Sequence, residues 1–433
     1  MKPELKERIE AINRGEVPNG YKKTKIGILP SDWSIKKLID LAVDRGSYGI
    51  GAPAVDFNEN LPRYLRITDI EENGRITNDD IKCVDHPDAS KYLLEENDLV
   101  FARTGNTTGK TYLYDKNDGK LVYAGFLIKY KILDDKASAK YVKYYTETDH
   151  YWYWVKKMSA RSGQPGINSE EYAELLIPCP DLLEQQKIAD ILSTWDKAIE
   201  LKEKLIEQKK EQKKGLMQRL LTGKVRLPGF EGEWKEVRLG SIGSAYNGLT
   251  GKNKEDFGSG KPYIPYKNVF NGSRINIDQL EYVQILETEN QNKVKYGDII
   301  FTASSETPEE VGMSSVLLDH VDELYLNSFC FGYRLNDFNT LIPEFAQYLF
   351  RGNVFRKELL KLAQGSTRFN LSKNEVLKIK IKIPGLEEQK KIAFVLTIFD
   401  REIDLLEQEL EALKQQKKGL MQLLLTGKVR VKC

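Results

Sequence analysis

The chain contains one long segment twice. Residues 180–226 read PDLLEQQKIADILSTWDKAIELKEKLIEQKKEQKKGLMQRLLTGKVR. They align without a gap onto residues 384–430, PGLEEQKKIAFVLTIFDREIDLLEQELEALKQQKKGLMQLLLTGKVR, at an offset of 204, with 28 identities in 47 positions. A repeat of this period marks a tandem duplication and precedes any reading of local structure. The rest of the two copies has drifted. Trp33 and Leu38 echo Trp234 and Leu239. Tyr64 in YLRITDI echoes Tyr263 in YIPYKNV, and NDLVFAR around Asp98 echoes GDIIFTA around Asp298. The turn Arg161–Glu171 echoes Ala363–Glu375, aligning Gly163 with Gly365 and Asn168 with Asn370. The order is variable unit, connector, variable unit, connector.

Each connector reads as a long helix. Ile392, Leu396, Phe399, Ile403, Leu406, Leu410, Leu413, Lys417, Leu420 and Leu424 follow an unbroken 4-3-4-3 spacing. The first connector repeats it at Ile188, Leu192, Trp195, Ile199, Lys202, Ile206, Lys209, Lys213, Leu216 and Leu220. That is a heptad seam, and the apolar members are the expected interface of an antiparallel helix pair within one chain. A zipper between two chains would use the same stripe, but a whole unit between the copies favours internal pairing. Lys202, Lys209 and Lys213 do not suit a dry seam; they snorkel or fix register. Gly215 and Gly419 imply close approach of another backbone. Thr222-Gly223 and Thr426-Gly427 supply C-terminal stops. From Glu184 to Thr222 the helix covers about 58 Å at 1.5 Å per residue.

The variable units alternate short apolar runs with glycine-rich polar loops. Strands are expected at Asp98–Ala102, Leu121–Tyr130, Asp298–Thr302, Ser314–Leu318 and Phe329–Leu335, and helices at Ala139–Met158 and Ile342–Ala363. The expected fold is mixed α/β, with helices and strands interspersed (α+β). Two globular domains are separated by two long antiparallel coiled-coil helices in a pseudo-twofold repeat. The boundaries are 1–18 for an N-terminal helical extension, 19–180 and 227–384 for the domains, and 181–226 and 385–433 for the connectors. Loops of basic, amide and hydroxyl residues stand out in both units. The candidates are Arg45, Tyr48, Arg103, Thr104, Asn106, Lys110, Arg161 and Gln164 in the first, and Asn247, Thr250, Lys252, Ser304, Ser305, Ser366, Thr367 and Arg368 in the second. Arginine suits guanine edges, and amides suit adenine. Hydroxyls and glycine amides suit phosphate oxygens. Any one such loop also reads as ordinary solvated chain; the recurrence in both units is what raises the set.

Composition restrains this reading. The 66 basic and 64 acidic residues leave a net charge of only +2. Residues 15–180 hold 23 basic and 25 acidic groups, and 227–384 hold 19 and 20, so a DNA-binding face has to be a local patch. Nothing approaches ~18 uninterrupted apolar residues, so no membrane span is expected. The N-terminal stretch is charged and lacks the apolar core of a signal peptide. Four scattered cysteines (Cys83, Cys179, Cys330, Cys433) suit a reducing cytoplasm better than a disulfide framework. No catalytic motif emerges: no Walker loop, dinucleotide fingerprint, nucleophile elbow or Asn-Pro-Pro-aromatic motif. Cys83 and His86 have no second ligand pair at metal spacing. Asp181, Glu184 and Lys187 form a nuclease-like string, but Gly385 replaces Asp181 in the second copy, and carboxylates at a helix start favour the dipole.

The chain resembles the specificity subunits of Type I restriction–modification systems. The marks are the duplicated Pro-x-Leu-x-Glu-Gln-x-Lys-Ile-Ala opening (Pro180–Ala189, Pro384–Ala393), the Leu and Asp that follow (Leu192 and Asp196, Leu396 and Asp400), and the Lys-Lys-Gly-Leu-Met-Gln ending with its Leu-Leu-Thr-Gly. A Gly-x(4)-Asn loop and a tryptophan segment (Trp33, Trp234) complete the pattern in each copy. The resemblance implies that each unit reads half of a bipartite double-stranded DNA target. It implies that the helices set the gap and dock two methyltransferase (M) subunits, and that restriction/motor (R) subunits cut unmodified DNA. No cofactor is then bound by this chain; S-adenosylmethionine, ATP and Mg belong to the partners. The chain is expected to be non-catalytic and to work in a prokaryotic cytoplasm without a membrane. The rival readings are a protein-binding scaffold, and a nuclease or methyltransferase in its own right, which the missing motifs disfavour.

Overall fold

A computed structural model describes residues 3–161 and 163–431. The chain forms two compact units, one of residues 1–202 with 409–433, the other of 203–408. Each unit therefore contains one variable body, the start of its own long helix and the end of the other.

In the first unit an antiparallel sheet runs in the order Ser47–Tyr48, Leu127–Lys131, Asp98–Ala102, Thr111–Leu113. A second sheet runs Leu121–Tyr123, Arg63–Leu65, Lys82–Cys83, Val55–Asp56, and its first pair is parallel. The second unit repeats the plan. Its antiparallel sheet is Gly243–Asn247, Cys330–Leu335, Ile299–Thr302, Ser314–Val316, and Phe257–Ile264 runs parallel to Tyr325–Leu326 in a three-stranded sheet. A two-stranded ribbon closes each body: Ser34–Lys37 with Leu176–Cys179, and Lys235–Arg238 with Lys380–Ile383. The N-terminal extension is a helix, Pro3–Asn13, followed by a hairpin of Tyr21–Thr24 with Gly27–Pro30.

Three expected elements are split. The helix expected over 139–158 is two, Ala139–Tyr145 and Asp149–Met158. Thr148 caps the second by accepting from Tyr151 N, and Thr146 turns its hydroxyl back to Lys143 O at 2.6 Å. Hydroxyl side chains compete with the helix ladder in this way. The helix expected over 342–363 is likewise Pro343–Leu349 and Asn353–Leu360, with Gly352 as the cap between them. The strand expected over 121–130 breaks at Ala124-Gly125-Phe126, and its halves join different sheets.

The connectors are continuous helices, Leu182–Leu220 and Leu386–Leu425. Thr222 and Thr426 return their hydroxyls to Gln218 O and Gln422 O, and Gly223 and Gly427 take φ of 67° and end the helices as expected. The seam has two kinds of partner, where the periodicity suggested one. Ile188, Leu192, Leu420 and Leu424 pack into the core of the first unit, beside Trp33 and Tyr144. Leu216, Leu220, Ile392 and Leu396 pack into the core of the second, beside Phe345 and Tyr348. Between these ends Ile199, Ile206 and Ile403 are buried, while Trp195, Phe399, Leu406, Leu410 and Leu413 are half-buried.

The seam lysines are paired across the helices, which fixes an antiparallel register. In the first unit Lys202 meets Glu409 and Lys417 meets Asp196, both at 2.7 Å. In the second, Lys209 meets Glu402 at 2.6 Å, Lys210 meets Glu407 at 2.7 Å, and Lys213 meets Asp400. Asp196 also accepts from Tyr144 and Asp400 from Tyr348, at 2.7 and 2.6 Å. Burial alone would lower the Lys417 ammonium, but Glu147 and Asp196 hold it above its ordinary value.

The duplicated motif is the closure of each unit. Gln185 accepts from Ser138 N and donates to Pro180 O; Gln389 accepts from Ile342 N and donates to Pro384 O. Glu184, 1% exposed, takes Arg430 on both oxygens at 2.7 Å and Trp33 Nε1 at 3.1 Å. Glu388, 3% exposed, takes Arg226 on both oxygens at 2.6 Å. Hydrogen bonds to Glu184 raise the Arg430 guanidinium above its ordinary value. Asp181 caps its helix by accepting from Glu184 N at 2.8 Å. The nuclease-like string is thus a cap plus an ion pair, with Glu184 in the first helical turn where a carboxylate also favours the dipole.

Gly215 and Gly419 correct another expectation. An added Cβ at either meets nothing within 4 Å among the described residues, so no backbone approaches them. Gly215→Ala and Gly419→Ala should each stabilise the chain by about 1 kcal/mol, read as a higher urea midpoint at unchanged slope. Arg430→Ala, which strands a buried carboxylate, should cost about 3 kcal/mol in the same measurement.

Candidate nucleic-acid interface

Three loops of the first unit meet where strand Asp98–Ala102 ends. Thr104 pairs with Gly166, Gly105 N donates to Pro165 O at 3.0 Å, and Thr108 Oγ1 reaches Pro165 O at 3.3 Å. The third loop is tied in at Tyr48, whose hydroxyl accepts from Ser169 N and Oγ, both at 3.2 Å. Burial alone would raise the Tyr48 hydroxyl, but these bonds and the Arg103 charge hold it below the ordinary tyrosine value. Arg103 lies over the Tyr48 ring, its guanidinium carbon 4.7 Å from the centroid. Arg45 and Arg161 are occupied instead: Arg45 by Glu170 at 2.5 Å, Arg161 by Glu171 at 2.6 Å and by Gly166 O at 2.9 Å. Lys110 turns inward to Ile70 O at 3.1 Å. Asn106 and Gln164 are exposed and Thr104 is half-buried.

The second unit builds the same corner. Ser304 and Ser305 pair with Asn370 and Phe369 in a short ribbon, and Lys373 Nζ reaches Asn247 Oδ1 at 2.5 Å. A cleft of about 390 Å³ opens there, lined in part by Asn247, Thr250, Ser328, Ser372, Lys373 and Asn374. Thr250 is held by Gln291 at 3.1 Å through its amide. Ser366, Thr367 and Arg368 are exposed, and Arg368 lies over the Phe329 ring at 5.3 Å.

Burial corrects three candidates. The Lys252 side chain is 6% exposed and ion-paired with Glu289 at 2.5 Å. Ser304 and Ser305 are 6% and 8% exposed; the Ser304 carbonyl accepts from Tyr266, and the Ser305 hydroxyl donates to Glu310. None of the three side chains faces outward from the corner, because strand pairing and acidic neighbours use them internally.

The alignment of the turns is also corrected. Ile167 N donates to Arg103 O and Leu371 N to Ala303 O, each at 2.9 Å, so Ile167 matches Leu371. Asn168 then matches Ser372, and both cap short helices (Ser169–Ala173, Lys373–Val376). Asn370 lies in the ribbon instead. Sequence reasoning missed Phe126 and Phe329, 60% and 52% exposed at equivalent strand starts. Their signal was an aromatic residue inside a polar turn, Ala-Gly-Phe and Asn-Ser-Phe.

Among the described residues no group of His, Cys, Asp and Glu could hold a metal, and Cys83, Cys179 and Cys330 are buried free thiols; Cys433 lies outside them. No described helix is long and apolar enough to cross a membrane.

The family described as "Type I restriction modification DNA specificity domain" matches residues 30–210 and again 231–415. The chain is 30% identical over 429 residues to the Type I restriction enzyme MjaVIII specificity subunit of Methanocaldococcus jannaschii, covering 93% of this chain and 94% of that one. It is 27% identical to a putative MjaX specificity subunit of the same organism, over 95% and 97% of the two chains. Its fold is similar to the crystal structure of the Type I restriction–modification S subunit from M. genitalium, with TM-score 0.53, 16% identity, and 95% and 98% of the chains covered. A twice-matched domain, a closing motif at both connectors and relatives aligned nearly end to end agree: the chain belongs to the Type I restriction–modification specificity subunits, the non-catalytic, DNA-recognising part of those enzymes.

Proposed function

We propose that the chain reads a bipartite, asymmetric DNA target, one half with residues 19–180 and the other with 227–384. It directs adenine methyltransferase subunits, two per chain, and motor-nuclease subunits to that target. The observation that carries this reading is the contrast within one repeat. The closing residues Glu184, Gln185 and Arg226 recur as Glu388, Gln389 and Arg430, while the equivalent corners carry different side chains, such as Arg103 against Ala303. Selection for one assembly and two base sequences leaves that contrast. The long helices are the natural dock for the methyltransferase subunits. S-adenosylmethionine, ATP and Mg belong to the partner subunits, and the site of action is the prokaryotic cytoplasm.

Co-expression with an adenine methyltransferase encoded beside this chain, followed by mapping of methylated adenines, tests the reading. A two-part motif with a fixed gap, lost when this chain is omitted, is expected; methylation indifferent to the chain would refute it. Inserting four residues within 202–213 should lengthen the tolerated gap and spare both half-sequences. Each helix extends about 58 Å, ample beside the ~34–36 Å between half-sites one DNA turn apart. Altered half-sequences would end the ruler idea. Duplex affinity should fall steeply with salt, because phosphate contacts release counterions. Lys252→Met should lower thermal stability yet leave that salt slope unchanged; a slope reduced by about 1 would put Lys252 on a phosphate.

A further inference from the structure

The geometry points to one guanine-reading arginine in each unit, pinned on an aromatic ring: Arg103 on Tyr48 in the first and Arg368 on Phe329 in the second. This rests on the DNA-reading function above and names the side chains that discriminate.

A base-reading arginine needs its N–H fork free. Among the first unit's recognition loops, Arg45 and Arg161 have carboxylates on theirs, Glu170 and Glu171. The contact described for the Arg103 guanidinium is the ring of Tyr48, 4.7 Å away. In the second unit Arg274 is held by Asp319, Arg334 by Asp298, and Arg351 and Arg356 by backbone carbonyls. Arg368 is the exposed arginine of the corner, over Phe329 at 5.3 Å. Attraction of a guanidinium to a ring face consumes no N–H donor. It restricts the side chain beforehand, so less freedom is lost on binding.

Tyr48 is held at its backbone and its hydroxyl, and Phe329 through its backbone. Tyr48 is paired in its strand with Ile128 and bonded at its hydroxyl to Ser169. Phe329 N donates to Asn327 Oδ1 at 2.7 Å and its carbonyl accepts from Ala303 N at 2.8 Å.

The two arginines are not repeat equivalents. Arg103 corresponds to Ala303, since their amides donate to Phe126 O and Phe329 O alike. Arg368 comes from the opposite loop, at the position of Gln164 when Ile167 is laid on Leu371. The same corner has acquired an arginine on an aromatic ring from different chain positions. Common descent of the repeat does not produce that; a shared chemical task does. A free arginine fork pairs with guanine O6 and N7, the commonest specific contact in the major groove.

The mapped target of the wild-type chain should contain at least one G·C pair in each half. Replacing that guanine by 7-deazaguanine in a duplex probe removes the N7 acceptor and should weaken binding by the full-length chain roughly 5- to 150-fold. In co-expressed cells R103A and R103K should each relax one G·C position in one half and leave the other half strict. R368A should do the converse. A half-site with no G·C pair, or binding indifferent to 7-deazaguanine at every guanine, overturns the inference. So do arginine variants whose motif is unchanged. The 7-deazaguanine probe needs no variant, so poor folding of R103A or R368A does not shield the idea. If the wild-type chain gives no two-part motif at all, the DNA-reading function fails; if it gives one that ignores these arginines, this inference alone fails.

Discussion

The Arg430–Glu184 pair and its repeat, Arg226–Glu388, tie the end of one long helix to the start of the other inside each compact unit. The rest of the architecture follows from that tie. A carboxylate 1–3% exposed is tolerable only with its charge met. The bidentate arginine therefore fixes where each returning helix lies. Gln185 and Gln389 satisfy the backbone behind the carboxylates, and the seam lysines carry the same register along the helices. The two closures are not identical. Trp33 donates to Glu184, whereas Trp234 Nε1 has no partner among the described residues. The ion pair is thus present at both closures, and the tryptophan hydrogen bond to the carboxylate at one.

The candidate site shares few residues with this frame. The closing motif lies at the helix ends, and the recognition corners lie at the ends of strands Asp98–Ala102 and Ile299–Thr302. Side chains at the corners can change without touching a buried charge. That separation is the physical reason one fold can carry two different corners. The occupied arginines matter as well. Arg45 and Arg161 hold the loops in place through Glu170 and Glu171. Two basic residues of these loops are thus taken up by carboxylates, whereas Arg103 lies on the Tyr48 ring.

The frame was legible in the sequence because it is periodic and duplicated. An offset of 204 with 28 matches, and a 4-3-4-3 seam, leave few alternatives to two long helices. The mixed α/β bodies and strands such as Asp98–Ala102 were legible from composition and spacing. The breaks were not: Thr146 and Thr148 end and restart a helix through hydroxyl bonds that an apolar stripe does not register. Gly215 and Gly419 read as contact points and have open space around them. At the corners, residue type proposed sixteen side chains, but burial of Lys252, Ser304 and Ser305 depends on partners far along the chain. Arg45 and its Glu170 stand 125 residues apart, and no local pattern reports such a pairing. The turn was aligned on matching letters, Asn168 with Asn370, where hydrogen bonding aligns Asn168 with Ser372.

The first unit includes residues 409–433. Arg8 donates to Lys428 O, Tyr21 to Gly427 O, and Lys428 to Asn13, so its helix Pro3–Asn13 and hairpin rest on the segment that follows the second long helix. Residues 203–408 form the other unit. The whole of the other unit is thus inserted between the first unit's body and the segment that closes it, and a chain cut before residue 409 would leave the apolar bed of Leu424 and Leu425 in the first unit uncovered.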